Sequence, residues 1–199
     1  FFMLGGHGFN DDKKDGHGFI DMYRSIAVSC DVYYYQLGNE MGIDRIHDHM
    51  KPFGFGEKTG IDLEHEKTGI LPSQQWKRER FKRNRAAQKW VGGDTISISI
   101  GNGFNSYTPL QMAHAVATLA NDGVIMKPHL VKMLEDGGNH ARTLTVAKAS
   151  GRIAVKQENI DIVKRAMVGV TSDAKAPGTA VLQFRGVPYT VAGKTATAQ

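Results

Sequence analysis

The segment TPLQMAHAVATLANDG, residues 108–123, carries both the start and the stop signals of an α-helix. Thr108 can cap the first turn, Pro109 suits the first helical position, and Gln111 can reach back to complete a capping box. The Asn-Asp-Gly triplet then ends the helix. Apolar residues recur on one side, which we expect to face the core: Met112, Ala115, Val116, Leu119 and Ala120.

Two further segments show helical periodicity. Residues 19–42 are predicted to be helical in two pieces, the second of which ends at Gly38 or Gly42. Asp44 can cap a short helix that follows. Residues 158–170 form the last predicted helix, and its apolar face consists of Ile160, Val163, Met167 and Val170.

Alternating sequence predicts two β-strands. TISISI, residues 95–100, alternates before a glycine-rich turn, and the closing stretch VPYTVAGKTATAQ, residues 187–199, alternates around Lys194. By contrast, residues 1–18 are rich in Gly, Asp and His and are predicted to form a loop. The stretch EKTGIDLEHEKTGILPS, residues 57–73, has neither period and is likewise predicted to be loop or short turns.

The composition is that of a globular protein, with 41% hydrophobic and 23% charged residues. No run approaches the ~18 to 20 apolar residues of a membrane-spanning helix, and the start FFMLGGHGF lacks the pattern of a signal peptide. The chain begins without methionine, so we interpret residues 1–199 as part of one domain, truncated at both ends. A single cysteine, Cys30, excludes an internal disulfide.

The formal charge is +5, and much of the excess lies in KRERFKRNR, residues 77–85, where six basic residues surround one glutamate. Such a run is typical either of a surface for an anionic partner, such as phospholipid headgroups or a charged polymer, or of a solvated face. We favour the solvated face. Nucleic acid is not expected as a partner, because the aromatic residues do not interleave with the basic ones.

Three short motifs of a class of serine acyltransferases occur in the sequence: Lys-Thr-Gly, Ser-x-Asp and Ser-x-x-Lys. That chemistry needs a nucleophilic serine at a helix start with a lysine one turn later, and a second serine that relays protons. It also needs a lysine on a strand, where positive charge meets the substrate carboxylate and backbone N–H groups help to form an oxyanion hole.

The strand requirement separates the candidate lysines. The two Lys-Thr-Gly copies, residues 58–60 and 67–69, lie among helix breakers and acidic residues, so we predict that neither is functional. Lys194 lies in a predicted strand and suits the role better. Its triplet, however, is Lys-Thr-Ala.

The serine motifs are of unequal value. Ser29 and Asp31 form the Ser-x-Asp motif ahead of a predicted helix, although on propensity alone such a pair indicates a helix cap. Ser-x-x-Lys occurs at residues 172–175, where Pro177 follows and prevents the helix that the motif requires. We therefore expect the nucleophile to lie outside this chain.

Longer runs resemble the transpeptidase domain of class B penicillin-binding proteins, in the branch that serves cell elongation in Gram-negative bacteria. These runs cover nearly the whole chain: YRSIAVSCDVYYYQLGNEMGIDRIHDHMKPFGFGEKTGIDL, GILPSQQWKRERF, GDTISISIGNGFNSYTPLQMAHAVATLANDG and AGKTATAQ. The resemblance implies an α/β fold of the α+β type, the penicillin-binding-protein and β-lactamase-like fold. In it an antiparallel sheet is flanked by helices. The resemblance implies that residues 1–199 are the C-terminal part of the transpeptidase domain, truncated at both ends and without the part that carries the nucleophile.

The resemblance also implies roles for individual residues. Ser29 resembles the relay serine, Asp31 its partner, and Lys194 the strand lysine. Thr195 and Thr197 resemble the hydroxyls that hold the substrate carboxylate, and the N–H of Thr197 would join the oxyanion hole.

The sequence departs from the family pattern in two places. The Ser-x-x-Lys nucleophile is expected upstream of Phe1. Ala196 stands where the family has glycine, and its Cβ can crowd a strand that a substrate backbone approaches closely. This substitution bears on ligand affinity more than on the fold.

The implied activity is that of a peptidoglycan D,D-transpeptidase, which cross-links stem peptides ending in D-Ala-D-Ala and is acylated by β-lactams. The implied location is the periplasmic face of the inner membrane, with proteins of the elongation machinery as partners. Two alternatives stay open. A β-lactamase or D,D-carboxypeptidase uses the same motifs, and Ala196 favours a non-catalytic penicillin-binding-like module.

Three residues supply a donor set that suits a structural zinc ion: Asp11, His17 and Cys30. The alternative is a solvated aspartate, a loop histidine and a small buried cysteine. The resemblance favours zinc, because some relatives hold a structural zinc ahead of the Ser-x-Asp helix through the same residue types. A fourth ligand would come from upstream, and the ion would hold the glycine-rich loop and steady Ser29.

Overall fold

The computed structural model describes residues 1–173 and 177–196, and its contacts divide the chain into two compact units. The first unit comprises Phe1–Ile46, Ser73–Gly103 and Lys156–Gln199, and the second comprises His47–Pro72 and Phe104–Val155. Helices and short antiparallel strand pairs make up the described part of the chain, in agreement with the predicted α+β class.

The first unit is mainly helical. Its elements are β1 (Phe2–Leu4), β2 (His7–Phe9), α1 (Met22–Ala27), α2 (Asp31–Met50, which runs on into the second unit), α3 (Gln74–Arg80), α4 (Arg85–Gln88), α5 (Gly92–Ser99) and α7 (Gln157–Ser172). Its core lies where α1 packs against α7, around buried Ile26, Ala166, Val170 and Ala180. The predicted helix at residues 158–170 is confirmed, because α7 covers these residues. Ile160 and Val170 on its predicted apolar face are buried.

The loop prediction for residues 1–18 is wrong at its start, because β1 and β2 form an antiparallel hairpin there. Gly5 and Gly6 make the two-residue turn, with φ of 55° and 82°. Both angles are positive, as in the type I′ turn that matches the twist of a hairpin. The Gly-Gly pair directly after the apolar triplet Phe2–Leu4 is the sequence signal for it.

Helix α2 is interrupted at Gly42, whose φ of 72° and ψ of 165° are not helical. The predicted end of the second helical piece at this glycine is therefore confirmed. The helix resumes to Met50 and passes into one 3₁₀ turn, Lys51–Phe53. Asp44, the predicted cap of this last piece, accepts a hydrogen bond from the side-chain amide of Gln74 at 2.9 Å.

The strand predicted at residues 95–100 is wrong, because TISISI lies mostly within helix α5. The Asp94 carboxylate accepts a hydrogen bond from the N–H of Val91 at 2.9 Å and so caps the first turn. Ile96 and Ile98 are both buried, and Thr95 accepts a hydrogen bond from the indole of Trp90 at 2.8 Å. Burial and capping therefore override the β propensity of the alternating β-branched residues.

The strand predicted over the closing residues is also wrong, since residues 187–196 lie in no strand ladder of the described chain. Helix α7 supplies the partners of this segment instead. The Thr171 hydroxyl donates to the carbonyl of Val191 at 2.5 Å, and the N–H of Gly193 donates to the carbonyl of Met167 at 3.0 Å. An alternating sequence forms a β-strand only where another strand pairs with it. Here the hydrogen-bonding partners of the segment belong to the end of α7 instead.

The second unit contains the helix whose start and stop signals are the clearest in the sequence. Its remaining elements are α6 (Pro109–Ala120), β3 (Val124–Met126), β4 (Met133–Glu135), β5 (Arg142–Leu144) and β6 (Ala149–Arg152), with β3 pairing β6 and β4 pairing β5, both antiparallel. The capping box is confirmed, because the Gln111 N–H donates to the Thr108 hydroxyl at 3.1 Å and the Thr108 N–H donates to the Gln111 side chain at 2.9 Å.

The predicted apolar side of α6 is correct for Ala115 and wrong for Met112, Val116 and Ala120. Met112 and Val116 are 45% and 48% exposed, and Ala120 is exposed as well. Gln111 is instead 1% exposed. Its amide donates to the carbonyls of Glu57 and Thr68 at 2.7 Å each. The helix thus turns a polar side chain inward because the neighbouring loop has backbone carbonyls that need donors.

Residues 57–73 form neither helix nor strand, as predicted. In the first Lys-Thr-Gly copy, the Thr59 N–H and hydroxyl both donate to the Glu66 carboxylate at 2.7 Å. In the second copy, Gly69 has a φ of 61°, and a Cβ there would lie 2.6 Å from the Ser106 carbonyl oxygen. The hydroxyl of one copy and the glycine of the other therefore serve the loop itself.

The basic stretch at residues 77–85 divides into one buried lysine and an exposed remainder. Lys77 donates to the Asp94 carboxylate at 2.5 Å and to the carbonyl of Lys89 at 2.9 Å. The other cations of the stretch are exposed, in keeping with a solvated face: Arg78, Arg80, Lys82, Arg83 and Arg85. Among the described residues, no helix combines the length and apolarity needed to cross a bilayer.

We predict that Asp94→Asn lowers the free energy of unfolding by about 3 kcal/mol, because it leaves the buried Lys77 ammonium without its counter-charge. The measurement is urea denaturation at neutral pH. Glu64→Gln, at a carboxylate whose side chain is 94% exposed, serves as the matched control and should change stability by less than about 0.5 kcal/mol. Equal effects of the two variants would contradict a structural role for the buried pair.

Candidate active site

Ser29 occupies the junction between α1 and α2 in a left-handed backbone conformation, with φ of 58°. Helix α1 ends at Ala27 with Val28 as its C-cap, and the N–H of Cys30 donates to the carbonyl of Ser25 at 3.0 Å. A non-glycine residue with positive φ is uncommon and costs conformational energy, and such residues cluster at functional sites. The sharp turn places Ser29 directly before the first turn of α2.

The structure brings Ser29 together with Lys194, although the two are 165 positions apart in the chain. The Lys194 ammonium donates to the Ser29 hydroxyl at 2.7 Å and to the carbonyl of Thr195 at 2.9 Å. A lysine held against a hydroxyl in this way can orient its proton and offer positive charge to an approaching anion.

Backbone hydrogen bonds from the preceding segment support this arrangement. The N–H of Thr179 donates to the carbonyl of Ala27 at 3.1 Å, and the N–H of Ala180 donates to the carbonyl of Val170 at 2.9 Å. The segment from residue 177 onward is thereby fastened both to the end of α1 and to the end of α7. Lys194 approaches Ser29 because both belong to segments held by the same two helix ends.

Gly178 is needed for this attachment. A Cβ at this position would lie 2.5 Å from the carbonyl oxygen of Val170 and 2.6 Å from its Cα. Both neighbours are backbone atoms of α7, which cannot move aside as a flexible side chain can. The glycine therefore allows the chain to approach the helix end closely.

Burial and neighbouring charges shift the pKa values of Lys194 and Asp31. Partial desolvation lowers the pKa of Lys194, while the carboxylates of Asp31 and Asp12 act in the opposite direction. Burial raises the pKa of Asp31, and repulsion from Asp11 and Asp12 raises it further. The ammonium and the carboxylates therefore form one electrostatically coupled group at the start of α2.

The predicted carboxylate-binding residues are only partly placed. Thr195 is exposed, and its hydroxyl lies 2.9 Å from the hydroxyl of Thr179. Thr197 lies outside the described residues. Ala196, the departure from the family pattern, is not among the residues with positive φ, so its backbone conformation does not require glycine.

Thr179 is a residue that the sequence reasoning missed. Its neighbours Pro177 and Gly178 indicate a turn, and a threonine after a turn carries no chemical signal of its own. Only the tertiary structure places its hydroxyl beside Thr195.

Ser172 is the other serine weighed as a nucleophile. It is the last residue of α7, and its hydroxyl donates to the carbonyl of Val168, four residues back, at 2.8 Å. The nucleophile of this chemistry sits at a helix start with its lysine one turn later, and Ser172 sits at a helix end. The lysine of its motif lies outside the described residues.

Asp11, His17 and Cys30 come together as one cluster, with donor atoms all within 4.8 Å of one another. The Cys30 thiol donates to Asp11 at 2.9 Å, and the His17 Nδ1 lies 3.1 Å from the same carboxylate oxygen. Burial raises the pKa of Cys30 to about 11, with a further contribution from Asp11. Burial opposes ionisation of Asp11 as well, but hydrogen bonds from Asp12, Cys30 and His17 hold its pKa well below the usual range.

The donor set of this cluster fits a zinc ion. Carboxylate oxygen, imidazole nitrogen and thiolate sulfur are all zinc ligands, and a tetrahedral structural site takes four. The thiol proton now shared with Asp11 is the one that metal binding displaces. Because Cys30 adjoins both Ser29 and Asp31, an ion held here would restrain the turn that presents the Ser29 hydroxyl.

The family model described as the penicillin-binding protein transpeptidase domain matches residues 5–199. The peptidoglycan D,D-transpeptidase MrdA of Acinetobacter baumannii is 41% identical over 204 residues, which cover 100% of this chain and 28% of that protein. The chain therefore spans just over a quarter of the length of this relative.

Solved structures of penicillin-binding proteins have a fold similar to that of this chain. Penicillin-binding protein 2 of Pseudomonas aeruginosa, in complex with WCK 5153, has a TM-score of 0.86 and 33% identity, covering 100% of this chain and 43% of that one. The complex of penicillin-binding protein 2 with MreC from Helicobacter pylori has a TM-score of 0.82 and 34% identity, covering 100% of this chain and 34% of that one.

We predict that Gly178→Ala destabilises the protein by about 1–3 kcal/mol, because the new methyl group forces the chain away from the end of α7. Thermal or urea denaturation measures the loss. Gly137→Ala is the matched control, since a Cβ at that position meets no atom within 4 Å. If the Gly178 and Gly137 variants are equally stable, the close approach at α7 is not required.

Proposed function

Because this chain belongs to the penicillin-binding protein transpeptidase family, we propose that it forms part of a peptidoglycan D,D-transpeptidase of cell elongation. The observation that carries this proposal is the hydrogen bond from Lys194 to Ser29 at 2.7 Å. It joins the two side chains that resemble the strand lysine and the relay serine of the family. The chain covers 28% of the Acinetobacter baumannii relative, so the activity is proposed for the whole protein.

The proposed reaction is acyl transfer between stem peptides. A serine, expected upstream of Phe1, gives its hydroxyl proton to the lysine of its motif and attacks the carbonyl carbon of the penultimate D-Ala. The C–N bond to the terminal D-Ala breaks, and the leaving amine takes a proton. The amine of a neighbouring stem then attacks the acyl-enzyme and forms the new amide bond. The ester bond to the serine breaks, and a proton from the amine returns to the serine oxygen.

In this reaction the Ser29 hydroxyl relays a proton to the leaving amine. The Lys194 ammonium keeps the lone pair of the Ser29 oxygen directed toward itself, so that the hydroxyl proton points away from Lys194 and toward the reacting groups. Asp31 adds negative charge near Lys194, which favours the protonated form of the lysine.

The terminal carboxylate of the stem peptide binds beside Lys194. Thr195 contributes a hydroxyl and Thr197 a second one, with the N–H of Thr197 completing the oxyanion hole. β-Lactams carry a carboxylate beside a strained amide and mimic D-Ala-D-Ala. We therefore expect them to acylate the serine in the same site.

We also propose that Asp11, His17 and Cys30 hold one structural zinc ion. Support comes from the three donor groups within 4.8 Å of one another. The ion would supply only a link between the loop that carries Asp11 and the start of α2. It would stabilise the backbone around Ser29.

The location and the protein partners extend this proposal. We place the domain at the periplasmic face of the inner membrane, where peptidoglycan is assembled. Proteins of the elongation machinery are proposed as partners, which the MreC complex of the Helicobacter pylori relative supports.

We predict that the full-length protein is acylated by a fluorescent penicillin, and that Lys194→Ala and Ser29→Ala each slow acylation about 100-fold or more. The measurement is the second-order acylation rate constant at neutral pH. Arg83→Ala, in the exposed basic stretch, should leave the rate unchanged. Absence of any labelling of the wild-type protein would contradict the proposed function.

The alkaline side of the pH profile tests the role of Lys194. Its pKa is lowered below the 10.5 of a free lysine, so the ammonium is fully present below the folded-state pKa and is lost as pH rises through it. Acylation should therefore decline with an apparent pKa below 10.5. Lys194→Arg should be slower but should lack this decline, because a guanidinium stays protonated. An identical alkaline limb in both proteins would assign it to another group.

We predict one zinc ion per chain in the full-length protein, measured by elemental analysis. His17→Ala and Cys30→Ser should each lose the ion and lower the melting temperature by several degrees. His65→Ala, at a side chain that is 91% exposed, should keep the full complement. A wild-type protein without zinc would refute the metal site.

A further inference from the structure

Thr179 belongs to a network of hydrogen bonds around the proposed site. The Lys194 ammonium binds both the Ser29 hydroxyl and the Thr195 carbonyl, and the Thr195 hydroxyl lies 2.9 Å from that of Thr179. The N–H of Thr179 donates to the carbonyl of Ala27 at 3.1 Å, two residues before Ser29. Thr179 therefore connects the segment that carries the lysine with the segment that carries the serine.

The hydroxyl of Thr179 is held in place by its backbone. The N–H groups of Thr179 and Ala180 are both hydrogen-bonded to helix ends, and Gly178 packs directly on Val170. A β-branched side chain on an anchored backbone has few rotamers. Yet the residue itself is exposed, so a ligand can reach the Thr195–Thr179 pair.

The number of protons on the two hydroxyls decides which of them donates the hydrogen bond between them. Each hydroxyl has one proton to donate and two lone pairs that accept. When Thr195 donates its only hydroxyl proton to an anion, it has no proton left for Thr179. The Thr195 oxygen is then the acceptor of the bond between the two hydroxyls, and Thr179 is the donor. A chain of donors that ends on an anion polarises along its length, which strengthens each bond.

We propose that Thr179 is a positioning residue for carboxylate recognition: it donates to Thr195 and so directs the Thr195 proton at the ligand carboxylate. The inference rests on the proposed function and deepens it, because it adds a residue to the substrate-binding site. It commits to a ligand class, namely an acyl donor with a carboxylate beside the reacting amide. Thr179 does not touch the reacting atoms and takes no proton from them.

The test compares Thr179→Val and Thr179→Ser with wild type in the full-length protein. Valine keeps the shape and the backbone N–H but loses the hydroxyl, and serine restores the hydroxyl. Rapid-mixing kinetics with a fluorescent penicillin separate the dissociation constant of the initial complex from the acylation rate constant. A Thr143→Val variant, at an exposed threonine of β5, controls for loss of a hydroxyl elsewhere.

We expect Thr179→Val to raise the dissociation constant about three- to tenfold, the range of one hydrogen bond, and to change the acylation rate constant less than twofold. Thr179→Ser should return the dissociation constant to within about twofold of wild type. The same penicillin as its methyl ester supplies the decisive comparison. Without a carboxylate to receive the Thr195 proton, wild type and Thr179→Val should bind the ester equally.

The possible failures are distinguishable. If penicillin fails to acylate the wild-type protein, both the proposed function and this inference fall. If wild type is acylated and Thr179→Val binds penicillin as well as wild type does, only the role of Thr179 is refuted. If Thr179→Val weakens penicillin and its ester equally, the residue acts through general structure, which also refutes directed carboxylate recognition.

Discussion

The packing of α1 against α7 is the interaction on which the candidate site depends. Tyr23 of α1 lies so close to Gly169 of α7 that a Cβ at the glycine would come within 2.5 Å of the tyrosine oxygen. The same hydroxyl donates to the Asp173 carboxylate, just past the end of α7, at 3.2 Å. Since α1 leads directly to Ser29 and α7 holds the Lys194 segment, this helix pair sets the distance between the side chains of Ser29 and Lys194.

Three chemically different groups follow one another at the start of α2. Ser29 presents the hydroxyl, Cys30 belongs to the cluster proposed to hold a metal ion, and Asp31 carries a carboxylate in the first helical turn. Negative charge at a helix N-terminus is favourable because the unpaired N–H groups there are partly positive. The turn at Ser29 lets adjacent residues face different partners, so that the proposed metal site and the proposed proton relay share a single peptide segment.

Some features followed from local sequence because their causes are local. The capping box of Thr108 and Gln111 involves atoms three residues apart, and the apolar period of α7 lies within one helix. The serine and lysine of the candidate site were found from motif types. Features that depend on distant partners were missed. The helix at residues 92–99 forms because of its burial and the Lys77–Asp94 pair, and Gln111 turns inward because a loop 43 to 57 positions away needs donors.

The sequence by itself therefore determined the helix boundaries with strong caps, the family, and the residue types available for acyl transfer and metal binding. These depend on interactions within a few residues or on long runs of matching letters. The tertiary structure alone decided that Lys194 reaches Ser29 from a segment outside any strand of the described chain, and that Thr179 joins Thr195. Such contacts depend on how α1 and α7 pack, and packing is set by the shapes of side chains that are far apart in sequence.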